Sequence, residues 1–223
     1  MNPVTAQSTL RIIETYASIQ GESTWAGLPC AFIRLARCNL RCRWCDTTYS
    51  FHGGEKVTIG ALLEQVKAFG LPLVEVTGGE PLAQAGCVNL CDALVEAGYT
   101  VLVETSGSLP INTLRPEVIR IMDLKCPDSG ECEKNHWPNL EYLSASRDEV
   151  KFVIASRRDY EWSRDCVRTH RLTERCKAVL FSPVFLEATP KNIVDWMLED
   201  GLTDVRFQLQ LHKFIWPPDR KGV

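Results

Sequence analysis

Long apolar runs are missing from this sequence. No stretch reaches the roughly 18 consecutive apolar residues that a membrane-spanning helix requires. Residues 1–10 are polar and lack the basic segment and following apolar stretch of a secretory signal. We therefore expect a cytoplasmic protein with no membrane partner.

A strong excess of charge of one sign is also missing. The chain has 25 Lys and Arg against 28 Asp and Glu, a net charge of −3. This balance provides no broad basic field, so nucleic acid is not an expected partner. No repeat or low-complexity segment divides the 223 residues, which predicts a single domain over residues 1–223 with a sizeable core.

Cysteine, in contrast, is abundant, with ten residues. In a chain of this length without an export signal, cysteines favour reduced thiols and metal ligation over disulfides. Cys87 and Cys91 lie four residues apart in an apolar helical stretch, which favours core packing. Isolated cysteines are expected to be small buried hydrophobes: Cys30, Cys126, Cys166 and Cys176.

Short β-branched runs alternate with segments of helical period, the pattern of parallel β/α units. The predicted strands are residues 31–36, 73–77, 100–104, 118–124, 150–155, 178–181 and 205–211. The predicted helices are residues 58–69, 86–97, 158–169 and 190–199. Several strands are too continuously apolar for a sheet with one wet face, so we expect an α/β fold with a barrel-like or open sheet.

Polar motifs follow the first four predicted strands, where the βα loops of such folds carry the chemistry. They are Cys38 to Cys45, Thr77 to Pro81, Glu104 to Gly107, and Lys125 to Pro127. One active-site rim would explain all four motifs. Residues 128–148 are irregular and are expected to form a surface insertion.

Cys38, Cys42 and Cys45 form a C-x3-C-x2-C loop. Three thiolates converging in one short loop suit an iron–sulfur cluster. They leave the fourth iron of a [4Fe–4S] cluster open to the amino and carboxylate groups of S-adenosylmethionine (SAM). The alternative is a zinc site completed by Cys30, His52 or a distant ligand.

Further rim residues offer polar contacts. Gly78 and Gly79 have no side chains, so the backbone there can approach a ligand closely. Glu80 can accept hydrogen bonds from an ammonium group. Residues 104–106 offer ribose-type hydrogen bonds or cap the next segment. The C-x3-H pair formed by residues 132 and 136 is read as incidental.

The two ends of the chain carry a second set of candidates. Gln20 and Glu22 lie in a polar turn that can contact a heterocycle or be an ordinary hairpin turn. Arg34 interrupts an apolar strand and needs an anionic partner, either a substrate carboxylate or a structural Asp or Glu. Gln210 and His212 lie on a polar face that suits substrate contact or a solvated edge equally well.

Five segments together make the sequence similar to the 7-carboxy-7-deazaguanine synthase family of radical SAM enzymes. They are Ile19-Gln20-Gly21-Glu22, Phe32-Ile33-Arg34-Leu35, the cysteine loop ending in Trp44-Cys45-Asp46-Thr47, Thr77-Gly78-Gly79-Glu80-Pro81, and Gln210-Leu211-His212-Lys213. The resemblance implies a modified, incomplete β/α barrel in a homodimer. It also implies ring contraction of 6-carboxy-5,6,7,8-tetrahydropterin to 7-carboxy-7-deazaguanine, with loss of ammonia, on the route to queuosine and related deazapurines.

The resemblance also implies cofactors and site residues. Cys38, Cys42 and Cys45 would hold the [4Fe–4S] cluster, and Thr47 would bind Mg2+. Implied SAM contacts are Trp44, Cys45, Asp46, Gly79, Glu80, Glu104, Ser106, Lys125 and Pro127. Implied substrate contacts are Ile19, Gln20, Gly21, Glu22, Arg34, Thr77, Gln210 and His212, with Arg34 holding the pterin carboxylate. An external one-electron donor such as flavodoxin would supply the reducing electron.

Departures from the family pattern are visible as well. Ser23 stands where many relatives have glycine, and Lys125-Cys126-Pro127-Asp128 replaces a Ser-Pro-Lys type segment near SAM. No role is carried over to the tail from Trp216 to Val223. Two other functions remain open: a glycyl-radical enzyme activating protein and a zinc-stabilised binding module.

Overall fold

The computed structural model describes residues 6–218 and 220–223, so residues 1–5 of the polar amino-terminal segment and Asp219 of the tail lie outside it. The strands are β1 Thr9–Ile19, β2 Pro29–Leu35, β3 Glu55–Thr58, β4 Leu73–Gly78, β5 Thr100–Thr105, β6 Ile119–Asp123, β7 Glu149–Ile154, β8 Ala178–Pro183 and β9 Val205–Phe207. The helices are α1 Ile59–Phe69, α2 Gly86–Glu96, α3 Arg157–His170, α4 Leu172–Arg175, α5 Pro190–Glu199 and α6 His212–Ile215.

All nine strands form one open sheet in the order β3-β1-β2-β4-β5-β6-β7-β8-β9. From β2 to β9 every neighbouring pair is parallel. β1 pairs antiparallel with both β2 and β3. The parallel strands do not close into a ring. This arrangement confirms the predicted α/β fold with an incomplete β/α barrel.

Residue alternation along the central strands positions the site. In β4, Val74 and Val76 belong to a core shared with α1 and α2. Because successive side chains of a strand point to opposite faces, Glu75 and Thr77 project to the other face. That interior face is apolar near the amino ends of the strands, where Leu73 belongs to a smaller buried cluster, and polar near the carboxyl ends.

A second core supports the other half of the sheet. Phe152 of β7 and Phe181 of β8 meet edge to face, with ring centroids 5.6 Å apart. Tyr160 of α3 meets Phe181 at 5.9 Å in the same geometry. Ser156 caps α3 by accepting a hydrogen bond from the Asp159 backbone N–H.

Two antiparallel strands, β1 and β3, were not anticipated. The register of β1 shifts between Ile12 and Glu14, so its sequence lacks the regular alternation that marks a strand. The predicted strand 205–211 is too long, because β9 ends at Phe207. The four predicted helices are present with small shifts at their ends.

The description of residues 128–148 as a surface insertion needs correction. The segment contains short 3-10 turns, and Asn139 within it is 1% exposed. The Asn139 amide donates to the carbonyls of Gly107 and Leu109 and accepts from the Ile111 backbone N–H. The segment therefore fixes the loop after β5. Within the ranges described above, no helix is long and apolar enough to span a membrane.

Candidate active site

A cavity of about 530 Å³ opens at the carboxyl ends of the central strands. Its volume lies within the range of roughly 300–1,000 Å³ typical of ligand sites. All the residues predicted from the sequence line it, except Glu80 and Pro127. The cavity is also lined by residues that the sequence did not single out, among them Tyr16, Glu75, Asp123 and Lys151.

The three cysteines of the loop lie together at one end of this cavity. Cys38, Cys42 and Cys45 are all free and half-buried, and the Cys45 backbone N–H donates to the Cys42 carbonyl over 3.2 Å. The pKa of the Cys42 thiol is raised to about 11, because the effect of burial exceeds the opposite effect of the nearby Lys125 ammonium. Three thiols beside a lysine ammonium form a donor set that fits an anionic iron–sulfur cluster with one open iron.

The zinc alternative is not supported by this arrangement. Cys30 lies near the amino end of β2, whereas the cysteine loop follows the carboxyl end of the same strand. Its thiol donates to the adjacent Ala31 carbonyl. Cys30 is therefore not placed to complete a zinc site with the three cysteines of the loop.

Gly79 packs against the start of the cysteine loop. A Cβ at this position would lie 2.5 Å from both the Arg37 carbonyl oxygen and the Cys38 Cβ. The next residue continues the contact, because the Glu80 backbone N–H donates to the Arg37 carbonyl. Gly79 is therefore required by the protein backbone itself, in addition to lining the cavity.

Glu80 has a different position from the one predicted. Its side chain is fully buried, does not line the cavity, and accepts hydrogen bonds from protein donors. Thr105 Oγ1 donates over 2.9 Å, and the Ser106 backbone N–H donates over 2.8 Å. The Ser106 hydroxyl and the Leu82 backbone N–H donate as well. Glu80 thus orients two residues of the cavity wall.

The contact predicted for Pro127 also requires correction. Pro127 begins a short 3-10 turn beyond the rim, whereas Lys125 and Asp123 line the cavity. The Lys125 ammonium lies 2.8 Å from Asp123 Oδ2, and Asp123 Oδ1 is buried without a hydrogen-bond partner among the described residues. Burial opposes the charge on Lys125, but Asp123 and Cys42 together outweigh burial and raise the pKa of Lys125.

Lys151 lies at the centre of a buried charge network. The side chain of Lys151 is 3% exposed, and its ammonium is 2.8 Å from Glu22 Oε2 and 3.9 Å from Asp123 Oδ2. It also contacts Glu104 Oε1. Burial alone would raise the pKa of Glu22, but Lys151 and His212 lower that pKa to about 2. The network therefore holds Glu22 as a carboxylate.

The amino-terminal turn and the carboxyl-terminal segment, separate in sequence, form one wall. The Gln210 amide donates to Glu22 Oε1 over 2.8 Å, and the Leu211 backbone N–H donates to the Gly21 carbonyl over 2.9 Å. A Cβ at Gly21 would lie 2.4 Å from His212 Nδ1. This contact explains the glycine, because any larger residue would displace the imidazole.

Ser23 follows this turn in the left-handed region, with φ of 66°. Such a conformation favours glycine over residues that carry a Cβ. The Ser23 backbone N–H donates to Gln208 Oε1, and its hydroxyl accepts from the Trp25 backbone N–H. These two hydrogen bonds hold the turn in this conformation with a serine at position 23.

Arg34 has a structural partner. Its Nε donates to Glu14 Oε1 over 2.7 Å, and its Nη2 donates to the Tyr16 hydroxyl over 3.0 Å. Tyr49 donates to the same Glu14 oxygen over 2.9 Å. Of the two partners expected for this arginine, the structure therefore supplies a structural glutamate, while Arg34 still lines the cavity.

The end of the cysteine loop is tied to the carboxyl-terminal segment. Asp46 Oδ2 accepts from the Lys213 ammonium over 2.7 Å. Thr47 Oγ1 lies 3.8 Å from the Cys45 sulfur and faces the cavity. The Arg43 guanidinium lies over the Trp44 ring, 5.1 Å from its centroid.

Comparison with known proteins places this geometry in a class. The Radical SAM superfamily model matches residues 32–125, a range that includes the cysteine loop and the Gly-Gly-Glu turn. QueE from Escherichia coli has the same fold, with a TM-score of 0.75 over 92% of this chain and 95% of that one, at 22% identity. Streptococcus suis SuiB bound to S-adenosylmethionine gives a TM-score of 0.56 over 78% of this chain and 44% of that one, at 13% identity. The fold and the cysteine loop thus define a radical SAM protein.

Proteins of similar sequence identify the family within this class. A 7-carboxy-7-deazaguanine synthase from Chlorobaculum tepidum is 46% identical over 99% of this chain and 100% of the relative. Another from Koribacter versatilis is 44% identical over 96% of this chain and 100% of the relative. The chain belongs to the 7-carboxy-7-deazaguanine synthase family.

Proposed function

We propose that this protein converts 6-carboxy-5,6,7,8-tetrahydropterin to 7-carboxy-7-deazaguanine and ammonia, in queuosine or related 7-deazapurine biosynthesis. The observation that carries the proposal is one cavity that joins the cysteine loop to the wall built by the turn at Gly21 and the segment at His212. The family's full-length relatives support it. Substrate and products balance without an external oxidant, which fits catalytic use of SAM.

The cofactor end of the cavity is assigned to the [4Fe–4S] cluster and SAM. Cys38, Cys42 and Cys45 would hold the cluster. When bound, the cluster and SAM supply an electron and a carbon-centred radical. SAM contacts are assigned to cavity residues beside the cysteines: Trp44, Asp46, Gly79, Glu104, Ser106 and Lys125.

The protein's own charges suit the zwitterionic end of SAM. The Lys125 ammonium can attract a carboxylate, while the orphaned Asp123 Oδ1 can accept from an ammonium group. Ser106, oriented by Glu80, provides a hydroxyl at the same wall. Asp123 therefore joins the assigned contacts, and Glu80 acts through Ser106.

The substrate end is assigned to residues of the opposite wall. The Arg34 guanidinium uses two of its five N–H groups on Glu14 and Tyr16, which leaves donors for the pterin carboxylate. Burial lowers the pKa of His212, so its imidazole is neutral near pH 7 and can both donate and accept. The remaining contacts are assigned to Ile19, Gln20, Gly21, Glu22, Thr77 and Gln210.

Mg2+, a homodimer and an external donor such as flavodoxin complete the proposal. The Thr47 hydroxyl is a hard oxygen ligand that faces the cavity and suits Mg2+, which would orient and polarise the substrate. An acidic chain without a membrane-spanning helix among its described residues suits a cytoplasmic enzyme supplied by a diffusible reductant.

The test is an anaerobic reaction of reconstituted protein with a one-electron reductant, SAM, Mg2+ and 6-carboxy-5,6,7,8-tetrahydropterin, followed by mass spectrometry. We expect 7-carboxy-7-deazaguanine that depends on the substrate. Formation of 5′-deoxyadenosine without that product would contradict the proposed substrate. Neither species, from protein with an intact cluster, would contradict the proposed reaction as a whole.

A further inference from the structure

Glu75 is a buried acid that the proposed reaction leaves without a role. It lies on β4, is 2% exposed and lines the cavity. Its Oε2 accepts a short hydrogen bond from the Gln20 side-chain amide. Gln20 in turn accepts from the Glu22 backbone N–H, so Glu75 lies directly behind the substrate turn.

The other carboxylates in this part of the cavity have cationic partners. Glu22 and Glu104 pair with Lys151, and Asp123 pairs with Lys125. Glu75 has no lysine or arginine nitrogen within 4.0 Å in the part of the chain that the structure describes. An unpaired carboxyl in such a position is costly unless a ligand supplies hydrogen bonds.

The pKa of Glu75 agrees with the lack of an ion-pair partner. Burial and the neighbouring carboxylates of Glu104 and Glu22 raise the pKa of Glu75 well above its ordinary value, although Lys151 and Arg34 act in the opposite direction. Hydrogen bonds from a ligand to the charged carboxylate would oppose this rise. A ligand edge that presents two adjacent N–H donors therefore suits the Glu75 carboxylate.

An aromatic wall lies next to Glu75. The rings of Tyr16 and Phe32 are stacked, with centroids 5.0 Å apart and planes 9° apart, and both line the cavity. Phe32 is the direct cross-strand partner of Glu75. A flat heterocycle placed against these rings would have a polar edge within reach of the carboxyl.

Resting on the proposed function, we propose that Glu75 recognises the 2-amino end of the pterin ring and sets the specificity of the site for it. One oxygen of the Glu75 carboxylate accepts from the exocyclic amine, and the other accepts from the N–H of the adjacent ring nitrogen. Replacing the amine by a carbonyl oxygen would place two acceptors against each other. The site therefore rejects 2-oxo analogues of its substrate.

The test uses cluster-loaded protein with SAM under anaerobic conditions at pH 7. Binding of 6-carboxypterin and of 6-carboxylumazine, its 2-oxo analogue, is measured by fluorescence titration. We expect the wild-type protein to prefer the pterin at least tenfold, because a site built to bond an N–H leaves polar groups unpaired when that group is absent. We expect Glu75→Gln, whose amide can rotate to donate or accept, to reduce the preference to about threefold or less.

Glu149→Gln provides the matched control. Glu149 is another fully buried glutamate of the same sheet, but it accepts from Thr24 and does not line the cavity. This variant should keep the wild-type preference. Cluster absorbance and circular dichroism identify any variant that fails to bind the cluster or to fold. If Glu75→Gln fails either check, Glu75→Asp is tested in its place.

The possible outcomes separate the two proposals. If the wild-type protein binds the pterin but does not discriminate against the lumazine, the role of Glu75 is wrong while the proposed function stands. An unchanged preference in Glu75→Gln also overturns the role of Glu75. If the wild-type protein binds neither ligand, the proposed function is contradicted, and the specificity assignment falls with it.

Discussion

The ammonium of Lys151 lies 2.8 Å from Glu22, and this ion pair joins the middle of the sheet to the turn that follows β1. Lys151 also contacts Glu104 and approaches Asp123. One buried cation thus connects residues assigned to the cofactor end with residues assigned to the substrate end. Its loss would leave several buried carboxylates without compensation.

Replacement of Lys151 should therefore destabilise the fold. We expect Lys151→Met to lower the free energy of unfolding by about 3–5 kcal/mol, the usual cost of breaking a buried ion pair on one side. Urea titration followed by circular dichroism measures the effect. Lys177→Met is the control, because Lys177 is exposed, and its ammonium donates to the Thr24 hydroxyl over 3.3 Å and lies 5.3 Å from the centroid of the Trp25 ring. Equal free energies of unfolding for the two variants would show that the buried charge network does not stabilise the fold.

The cysteine loop gives the sharpest prediction about chemistry. We expect Cys42→Ala to abolish SAM cleavage while the protein stays folded, because the cluster loses one of three thiolates. Iron content, visible absorbance and 5′-deoxyadenosine formation measure the loss. Cys132→Ala, a half-buried cysteine outside the cavity, should retain cleavage. Cleavage retained by Cys42→Ala would exclude the cluster assignment.

Arg34 should matter more for substrate use than for uncoupled SAM cleavage. We expect Arg34→Ala to lower kcat/KM for the pterin by roughly 10- to 100-fold, the loss of a charge-assisted hydrogen bond. Slow cleavage of SAM without substrate should change much less. Glu14→Gln removes the structural ion pair and keeps the guanidinium. If both variants lose both activities equally, the arginine is purely structural.

Gly79 should tolerate no side chain. We expect Gly79→Ala to lower the free energy of unfolding by about 1–3 kcal/mol and to reduce cluster incorporation, because the added Cβ would meet backbone at Arg37 and the Cys38 Cβ. Iron per chain and thermal unfolding provide the measurements. Gly60→Ala in α1, where a Cβ would meet nothing closer than 3.4 Å, is the control and should be neutral or stabilising. Normal iron content in Gly79→Ala would argue against this packing.

The raised pKa of Glu75 predicts a pH-dependent stability. An acid that binds its proton more tightly in the folded state destabilises that state progressively as pH rises above the ordinary value of 4.5, up to the folded pKa. Glu75→Gln removes this titration. The stability of the variant relative to wild type should therefore increase as pH rises above 5, in urea titrations at a series of pH values. A constant difference across that range would show that Glu75 does not titrate there.

Much of the site could be predicted from sequence because its motifs are local. The cysteine spacing, the Gly-Gly-Glu turn and the positions of most rim residues after apolar strands all follow from neighbouring residues in the chain. Glu80 could not be placed correctly, since its partners Thr105 and Ser106 come from another strand. The sequence did not single out Asp123, and the residue between Lys125 and Asp128 that would contact SAM could not be fixed, since both depend on how β6 lies against its neighbours.

The sequence by itself determined the fold class and the family, and it predicted the three cysteine ligands of the cluster, since these depend on periodicity and short motifs. Only the tertiary structure decided which partners the buried charges have. It joined Gln210 to Glu22 and gave Arg34 to Glu14, contacts that span 188 and 20 residues. It also left Glu75 without an ion-pair partner within 4.0 Å among the described residues. Such pairings depend on strand register and sheet order, which place distant residues side by side and leave no local pattern in the chain.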